Sequence, residues 1–363
     1  SFVTGGAQIL GQEKTLHIDQ SSLWGFARTL FVEHPELKSR IIDIDSGLNT
    51  VDNSHLLVEE LLVASEEAQV VYRSGKRKVA RLQKTELKTD AAWKVNPEAS
   101  YLITGGLGGL GLEMGEWLTK QGAKYLILMG RSTPNAESEK KIEAMRTKGT
   151  CVVIALGDVS KAEDVKNVIA RIKKDKMPEL RGVIHSAGVL ADSALLNQTW
   201  ESYEKVMRPK ISGSWNLHEQ TKAIKLDFFV LFSSATSMLG NAGQSNYGAA
   251  NAYMDTLAHD RKAHGLAALS VNWGPWAEVG MAKEMNAQLS AQLTRLGWSA
   301  ISLAQGQDCI GRLLQSGETQ IGVLPLDWSK YIETVSESMS RTYLSDVSGQ
   351  KSDQKAKEEK RVQ

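Results

Sequence analysis

Short, nearly unbroken apolar runs alternate along this chain with longer stretches in which apolar residues return every three or four positions. From residue 101 the alternation is regular. "YLITGG", "KYLILMG", "TCVVIALGD", "LRGVIHSAG", "LDFFVLFSSA" and "AALSVNWGP" are each a handful of apolar residues closed by Gly, Ser, Asp or Pro. That is the pattern of strands buried on both faces. Between them, "GLEMGEWLTKQGA", residues 136–148, "KAEDVKNVIARIKKD", "WESYEKVMRPKISGSWNLHEQTKA" and "NYGAANAYMDTLAHDRKAHG" have helical spacing. Strand and helix in turn predict an α/β fold with a parallel sheet covered on both faces, and right-handed crossovers make it doubly wound.

The same rhythm is present, in shorter form, before residue 90. "SFVT" and "SRIIDIDSG" read as strands, "QSSLWGFARTLFVEHPE" and "HLLVEELLVASEE" as helices, and "QVVYRSGKRKVARLQ" as two strands around Ser74-Gly75,. This amounts to about half of an open α/β sheet. The polar stretch "KTELKTDAAWKVNPEAS", residues 84–100, is the predicted linker,. The expected organisation is a partial subdomain over 1–92, a catalytic subdomain over 93–340, and a polar linker over 341–363 that ends in the aperiodic "KSDQKAKEEKRVQ",. The opening "SFVTGGAQIL" has no charged leader region and reads as strand and turn, so the chain is expected to begin inside a domain,.

Composition narrows the functional classes. Formal charge is +1, with 43 basic against 42 acidic residues, which gives no support for nucleic-acid binding through bulk charge,. The two cysteines, Cys151 and Cys309, form neither a disulfide framework nor a CxxC pair, and point to a reducing, cytoplasmic setting,. No apolar run is long enough to span a bilayer,. The seven histidines show no ligand spacing, so no metal is expected,.

One glycine pattern stands where chemistry needs it. Gly106-x-Gly108-x-x-Gly111 follows a strand and opens a helix. Glycines there let the backbone approach a pyrophosphate, and the helix N-terminus offers N–H donors to it. The overlapping Thr104-Gly105-xxx-Gly109-x-Gly111 is the pattern of short-chain dehydrogenases. An acid that would hold the ribose of NAD is replaced by Arg131, followed by Ser132. Arginine can pair with a 2′-phosphate, which favours NADPH. Asp158 is placed to meet the adenine edge, and "HSAG", residues 185–188, supplies small residues for close approach. His185 reads as a packed strand histidine.

A carbonyl reductase needs a group to hold the ketone oxygen and another to protonate it. Ser234 ends a strand at the carboxyl edge of the sheet, and Tyr247 follows on the next helix,. A free phenol has a pKa of about 10, so nearby positive charge would help it act near neutrality. Four residues on, the same helix face carries Asn251, which has no charge,. A lysine must come from elsewhere, and Lys210, Lys205 and Lys222 on the preceding helix are the candidates. The plainer alternative is a buried tyrosine on an Ala-rich packing helix.

"YLITGGLGGLGLEMGEWLTKQGAKYLILMGRS", "GVIHSAGVLADSAL", "KISGSWNLHE", "FFVLFSSATSMLGNAGQSNYGAANAYMDTLA" and "SVNWGPWAEVGMA" together closely resemble the ketoreductase domain of modular (type I) polyketide synthases, over about residues 98–330. The ketoreductase of animal-type fatty acid synthases is a more distant relative. The resemblance implies a Rossmann-like fold of the short-chain dehydrogenase type that binds NADPH. It implies a β-ketoacyl substrate held on the phosphopantetheine of an acyl carrier protein, with neighbouring synthase domains in the same polypeptide. In that family the lysine and asparagine of ordinary short-chain reductases have exchanged places. The tetrad falls on Lys210, Ser234, Tyr247 and Asn251. The cofactor is expected against Thr104, Gly105, Gly106, Gly108, Gly109, Leu110, Gly111, Arg131, Ser132, Asp158, Val159, Ser186, Ala187, Gly188, Gly274 and Pro275.

"SSLWGFARTLFVEHPELKSRIIDIDS" resembles the second half of the family's structural subdomain, a truncated Rossmann fold without a working cofactor site. Family reductases that give a D-hydroxyl (B-type) carry Leu-Asp-Asp after the HxAG turn, and here the stretch is Leu190-Ala191-Asp192. The opposite class carries a tryptophan before GxxxQ, where this chain has Leu239 ahead of Gly240 to Gln244. A D-hydroxyl product is therefore expected. Trp276 to about Gly297 resembles the family's mobile lid over the substrate. Two further readings stay open: a free-standing short-chain alcohol dehydrogenase on small ketones, and a non-catalytic structural module of a megasynthase.

Overall fold

The computed structural model describes residues 1–11, 16–87, 93–277, 287–336, 339 and 342–347. Two sheets organise the chain. In the first, β1 (Phe2–Gly5), β2 (Ile41–Ile44) and β3 (Gln69–Arg73) lie parallel in that order, and β4 (Lys76–Val79) pairs antiparallel with β3. The β3–β4 link is the two-residue turn read from Ser74-Gly75. Both residues are left-handed, at φ 51 and φ 72, which suits the right-handed twist of a hairpin,. Helices α1 (Ser22–Glu33) and α2 (Thr50–Leu62) provide the crossovers.

The second sheet is parallel throughout, in the order β11-β10-β9-β8-β5-β6-β7. Its strands are β5 (Ser100–Thr104), β6 (Tyr125–Gly130), β7 (Cys151–Leu156), β8 (Leu180–His185), β9 (Phe228–Ser234), β10 (Leu269–Trp273) and β11 (Gln320–Val323). The connecting helices are α3 (Gly109–Lys120), α4 (Ala136–Thr147), α5 (Ala162–Lys174), α6 (Trp200–Met207), α7 (Gly213–Thr221), α8 (Ala235–Leu239), α9 (Ser245–Ala263), α10 (Ala287–Arg295), α11 (Leu303–Leu313) and α12 (Trp328–Thr334). This is the doubly wound fold that the pattern predicts, of the Rossmann-like type that the resemblance implies. Each central strand feeds both faces. Tyr101, Ile103 and Val230 join one buried cluster, while Leu102, Phe229 and Leu231 join the other. Strand order reverses between β5 and β8, so a crevice opens there at the carboxyl edge.

The helices follow from local rules. α5 turns Val165, Val168 and Ile172 to the core, and its first turn is acidic and its last basic, which suits the helix dipole,. Asn135 caps α4 through Ser138 N, and Thr199 and Ser202 form a reciprocal capping box at α6,. The single long helix expected over residues 200–223 is broken. Between α6 and α7 the backbone makes one π turn, Arg208–Ser212, which is wider than an α-turn by one residue and shifts the helical register there,.

Other boundaries move too. The expected polar linker begins later than residue 341, because Tyr343, Leu344 and Val347 are buried against Leu82 and Tyr331. Leu82 N donates to Tyr343 O at 2.9 Å. Residues 351–363 lie outside the described residues, as do 278–286 of the expected lid and 88–92 of the expected inter-subdomain linker. Trp93 already belongs to the catalytic core, stacked on Trp117 with ring centroids 5.3 Å apart. No helix among the described residues is long and apolar enough to cross a membrane.

The two subdomains meet along α1 and α9. A Cβ on Gly25 would lie 2.0 Å from Gly248 O, and one on Gly248 would lie 2.9 Å from Gly25 O. Only glycines allow the two backbones to come this close.

Candidate active site

Three cavities adjoin along the carboxyl edge of the large sheet. One of about 400 Å³ is lined by Thr104, Gly105, Arg131, Asp158, Val159, Ala187 and Gly188. One of about 500 Å³ is lined by Gly105, Gly108, Gly109, Arg131 and Ser132. The largest, about 920 Å³, contains Leu110, Ser186, Gly188, Lys210, Ser234, Tyr247, Gly274, Pro275 and Trp276. Gly105 and Arg131 are common to the first two, and Gly188 links the first to the third.

The first two cavities fit a nicotinamide dinucleotide. Gly105 has φ +69, and a Cβ there would lie 2.9 Å from Ala187 N. A Cβ on Gly111 would lie 2.3 Å from Gly105 O, so this glycine seats the start of α3 on the turn. α3 begins from Gly108 with no side chain capping it, leaving its first N–H groups toward the cavity,. Gly106 serves the turn itself, donating its N–H to Met129 O at 3.1 Å. Arg131 is exposed, and its charge acts on the Asp158 carboxylate. Asp158 accepts from Ser160 N at 2.9 Å and Ser160 Oγ at 2.8 Å. Burial would raise its carboxyl, but those hydrogen bonds and the charge of Arg131 outweigh it and hold the pKa low.

The large cavity brings together three of the four residues expected to act, Lys210, Ser234 and Tyr247, while Asn251 is buried behind them on α9. Ser234 is the last residue of β9 and also caps α8, its Oγ accepting from Thr236 N at 3.2 Å. Tyr247 is buried in the first turn of α9, where Asn246 Oδ1 accepts its N–H at 2.7 Å. The π turn carries Lys210 inward. Its Nζ donates to Phe232 O at 3.0 Å and lies 5.0 Å from the centroid of the Tyr247 ring. The ammonium thus faces the ring of the tyrosine. Neither Lys205 nor Lys222 takes this place. Lys205 lines the smaller cavity, and Lys222 pairs with Glu219.

Burial governs the electrostatics. It pushes Lys210 down to about 7, against the opposing charge of Asp255. It pushes Tyr247 up to about 12, and Asp192 adds to that, while Asn251 and Ser234 work in the other direction. Asn251 Nδ2 donates to Tyr247 O at 2.8 Å, and its Oδ1 is buried with no partner among the described residues. A buried acceptor of this kind calls for a donor such as an ordered water. His185 is a packed histidine, its Nδ1 2.6 Å from Thr104 Oγ1. Burial and the nearby Lys210 hold it down to about 3.

The residues read for stereocontrol also meet here. Gln244 Nε2 donates to Asp192 Oδ2 at 2.8 Å, and Thr236 Oγ1 donates to Gln244 Oε1 at 2.9 Å. Asp192 is open to the cavity, yet desolvation raises its carboxyl in spite of Gln244. Leu190 and Ala191 pack with Tyr247, and Leu239 is buried in the wall. Trp276 is anchored, its ring lying where a Cβ on Gly306 would stand. Phe31, Val32 and Pro35 also line the cavity. They come from the N-terminal subdomain, and nothing in their local pattern marks them for a site some 200 residues away. Among the described residues no cluster of side chains could hold a metal.

The family model described as "KR domain" matches residues 99–278. A component of the phenolphthiocerol/phthiocerol polyketide synthase of Mycobacterium tuberculosis (strain CDC 1551 / Oshkosh) is 33% identical over 351 residues. That match takes in 95% of this chain but only 18% of the mycobacterial one. Among solved structures, an A-type ketoreductase from a modular polyketide synthase superposes with a TM-score of 0.86 at 31% identity, covering 95% of this chain and 72% of that one. The first ketoreductase of the tylosin synthase gives 0.83 at 30% identity, with 95% and 74% covered. On these matches the chain belongs to the ketoreductase domains of modular polyketide synthases.

Proposed function

We propose that this chain reduces the β-keto group of an acyl chain carried as a thioester on the phosphopantetheine of an acyl carrier protein, using NADPH and giving a D-hydroxyl. The observation that carries this reading is the convergence of Lys210, Ser234 and Tyr247 on one cavity that adjoins the glycine turn. Thr104, Gly105 and Arg131 would hold the cofactor along that turn, where it would supply the hydride.

The chain's own residues do the rest. The Ser234 hydroxyl donates to the ketone oxygen and fixes its direction. Tyr247, with a pKa of about 12, is fully protonated near neutrality and gives its phenolic proton to that oxygen as the alcohol forms,. The resulting phenolate is stabilised by the Lys210 ammonium at its ring,. Asn251 holds a water through its free Oδ1 and returns a proton along it,. Arg131, exposed at the rim of this cleft, favours NADPH by pairing with the 2′-phosphate,.

The D-configuration rests on Asp192, held over the cavity by Gln244, and on Leu239 where the other class has tryptophan. Incubation with a carrier-bound β-ketoacyl thioester and NADPH, followed by chiral chromatography, tests the reading. A D-hydroxyl product supports it. An L-hydroxyl product overturns the stereochemical part, and a faster reaction with small free ketones overturns the substrate class.

A further inference from the structure

Helix α1 belongs to the N-terminal subdomain, yet its C-terminal end reaches the reductase cavity. Phe31 and Val32 line the wall, as does Pro35 just past the helix. Between them stands Glu33, the last residue of α1, whose carboxylate crosses the subdomain boundary. One oxygen, Oε1, accepts from Gly243 N at 2.8 Å, and the other, Oε2, accepts from Leu195 N at 2.8 Å. These amides lie in the two loops that carry the residues over the cavity. Gly243 immediately precedes Gln244, and Leu195 follows the loop of Asp192 by three positions.

The two loops are also tied to each other. Ser193 N donates to Gly243 O at 2.9 Å. Gln198 Nε2 donates to Ser193 O at 2.9 Å, and Asn246 Nδ2 to Ala191 O at 2.8 Å. All of these bonds stay within the catalytic subdomain and would let the loops move together. Glu33 differs in kind, because it references both loops to a helix outside them. That helix is held on α9 by the Gly25–Gly248 contact, and α9 carries Tyr247. A carboxylate bridging two backbone N–H groups is a strong, directional link. A displacement of about 1 Å at a reacting centre can cost on the order of a hundredfold in rate.

We propose that Glu33 is a positioning residue of the reductase site: by holding the amides of Leu195 and Gly243 it sets the spacing of the Leu190–Asp192 and Gly240–Gln244 loops, and so selects the face of the ketone presented for reduction. This inference rests on reading the large cavity as the ketone site.

Two variants test it from opposite sides. Glu33→Gln removes the charge and one acceptor. Leu195→Pro leaves the N-terminal subdomain untouched and deletes one donor. Leu195 opens a short 3₁₀ turn after Ala194 at φ −51, ψ 145, a backbone that accepts proline,. Each variant is assayed for thioester KM, product enantiomeric ratio, NADPH Kd by fluorescence, and Tm. The expected result is a rise of about tenfold in thioester KM and a fall of about tenfold in enantiomeric ratio, with NADPH Kd within about twofold. The double variant is then no worse than the poorer single one, because both break the same link. Wild-type enantiomeric ratio and thioester KM in folded variants, even with a lowered Tm, overturn the proposal and leave Glu33 a structural tie. If Glu33→Gln fails to fold, Leu195→Pro decides alone. Tyr247→Phe, run alongside, separates the two layers: full activity in that variant overturns the site itself, whereas its inactivity with unaffected Glu33→Gln and Leu195→Pro overturns only the role of Glu33.

Discussion

The two halves of this molecule carry the same short phrase and use it in opposite ways. Thr4-Gly5-Gly6 closes β1 and Thr104-Gly105-Gly106 closes β5, each with one left-handed glycine, Gly6 at φ +68 and Gly105 at φ +69. After β1 the chain's own carboxylate fills the turn. Asp43 accepts from Thr4 Oγ1 at 2.6 Å, Ala7 N at 2.9 Å and Gln8 N at 3.0 Å, and its charge is matched by Arg73. Donors that could hold an external anion are already used. After β5 no side chain among the described residues plays that part, and Arg131 lies across the cleft. The cations repeat the contrast: the partly buried Arg73 pairs with a carboxylate, whereas the buried Lys210 donates to a carbonyl and faces an aromatic ring, with Asp255 acting from further off. A glycine turn becomes a ligand site only where its donors are left unsatisfied.

Single substitutions separate the two turns. Asp43→Asn leaves Arg73 buried beside a neutral group and is expected to cost about 3–5 kcal/mol in urea unfolding while NADPH Kd stays within about twofold. A matching loss of cofactor affinity would show that the N-terminal turn serves the site after all. Lys210→Met, which removes the unpaired cation, should lower kcat/KM by about 10²–10³. The wild-type kcat/KM should fall as pH rises through about 7, because the buried ammonium is charged only below that value,. Tyr247 stays protonated across the same range, so it adds no second descending limb there. Arg131→Ala should raise the KM for NADPH by about 10–100-fold and leave that for NADH unchanged, sharpening the claim that this cleft was left open for a phosphate. Gly25→Ala, by forcing α1 off α9, should cost about 1–3 kcal/mol, seen as a lower Tm,.

Much of this was legible in the sequence because local rules and function agree there. The strands of the large sheet are buried on both faces, so they read as unbroken apolar runs, and the glycine turn carries its own strand–helix context. The i, i+4 relation of Tyr247 and Asn251 follows from helical geometry alone. Other features depend on contacts far apart in sequence. The π turn at Arg208–Ser212 keeps a helical apolar rhythm on either side, and its register shift shows only once Lys210 is seen packed under β9. The role of residues 31–35 in the cavity wall requires the glycine-to-glycine crossing of α1 and α9, and Gly25 and Gly248 look locally like poor helix residues. Tyr343, Leu344 and Val347 are three apolar residues in a polar tail, and their partners Leu82 and Tyr331 lie in different subdomains. No periodicity joins them.

The proposed reduction depends above all on Tyr247 as the proton donor. The most direct test measures NADPH oxidation against a carrier-bound β-ketoacyl thioester for the wild type and Tyr247→Phe, with NADPH affinity measured in parallel. The expected result is one NADPH consumed per hydroxyacyl product in the wild type and a rate lower by about 10²–10⁴ in the variant, at unchanged NADPH Kd. A variant that retains the wild-type rate, or a wild type that binds NADPH and turns over none, would contradict it.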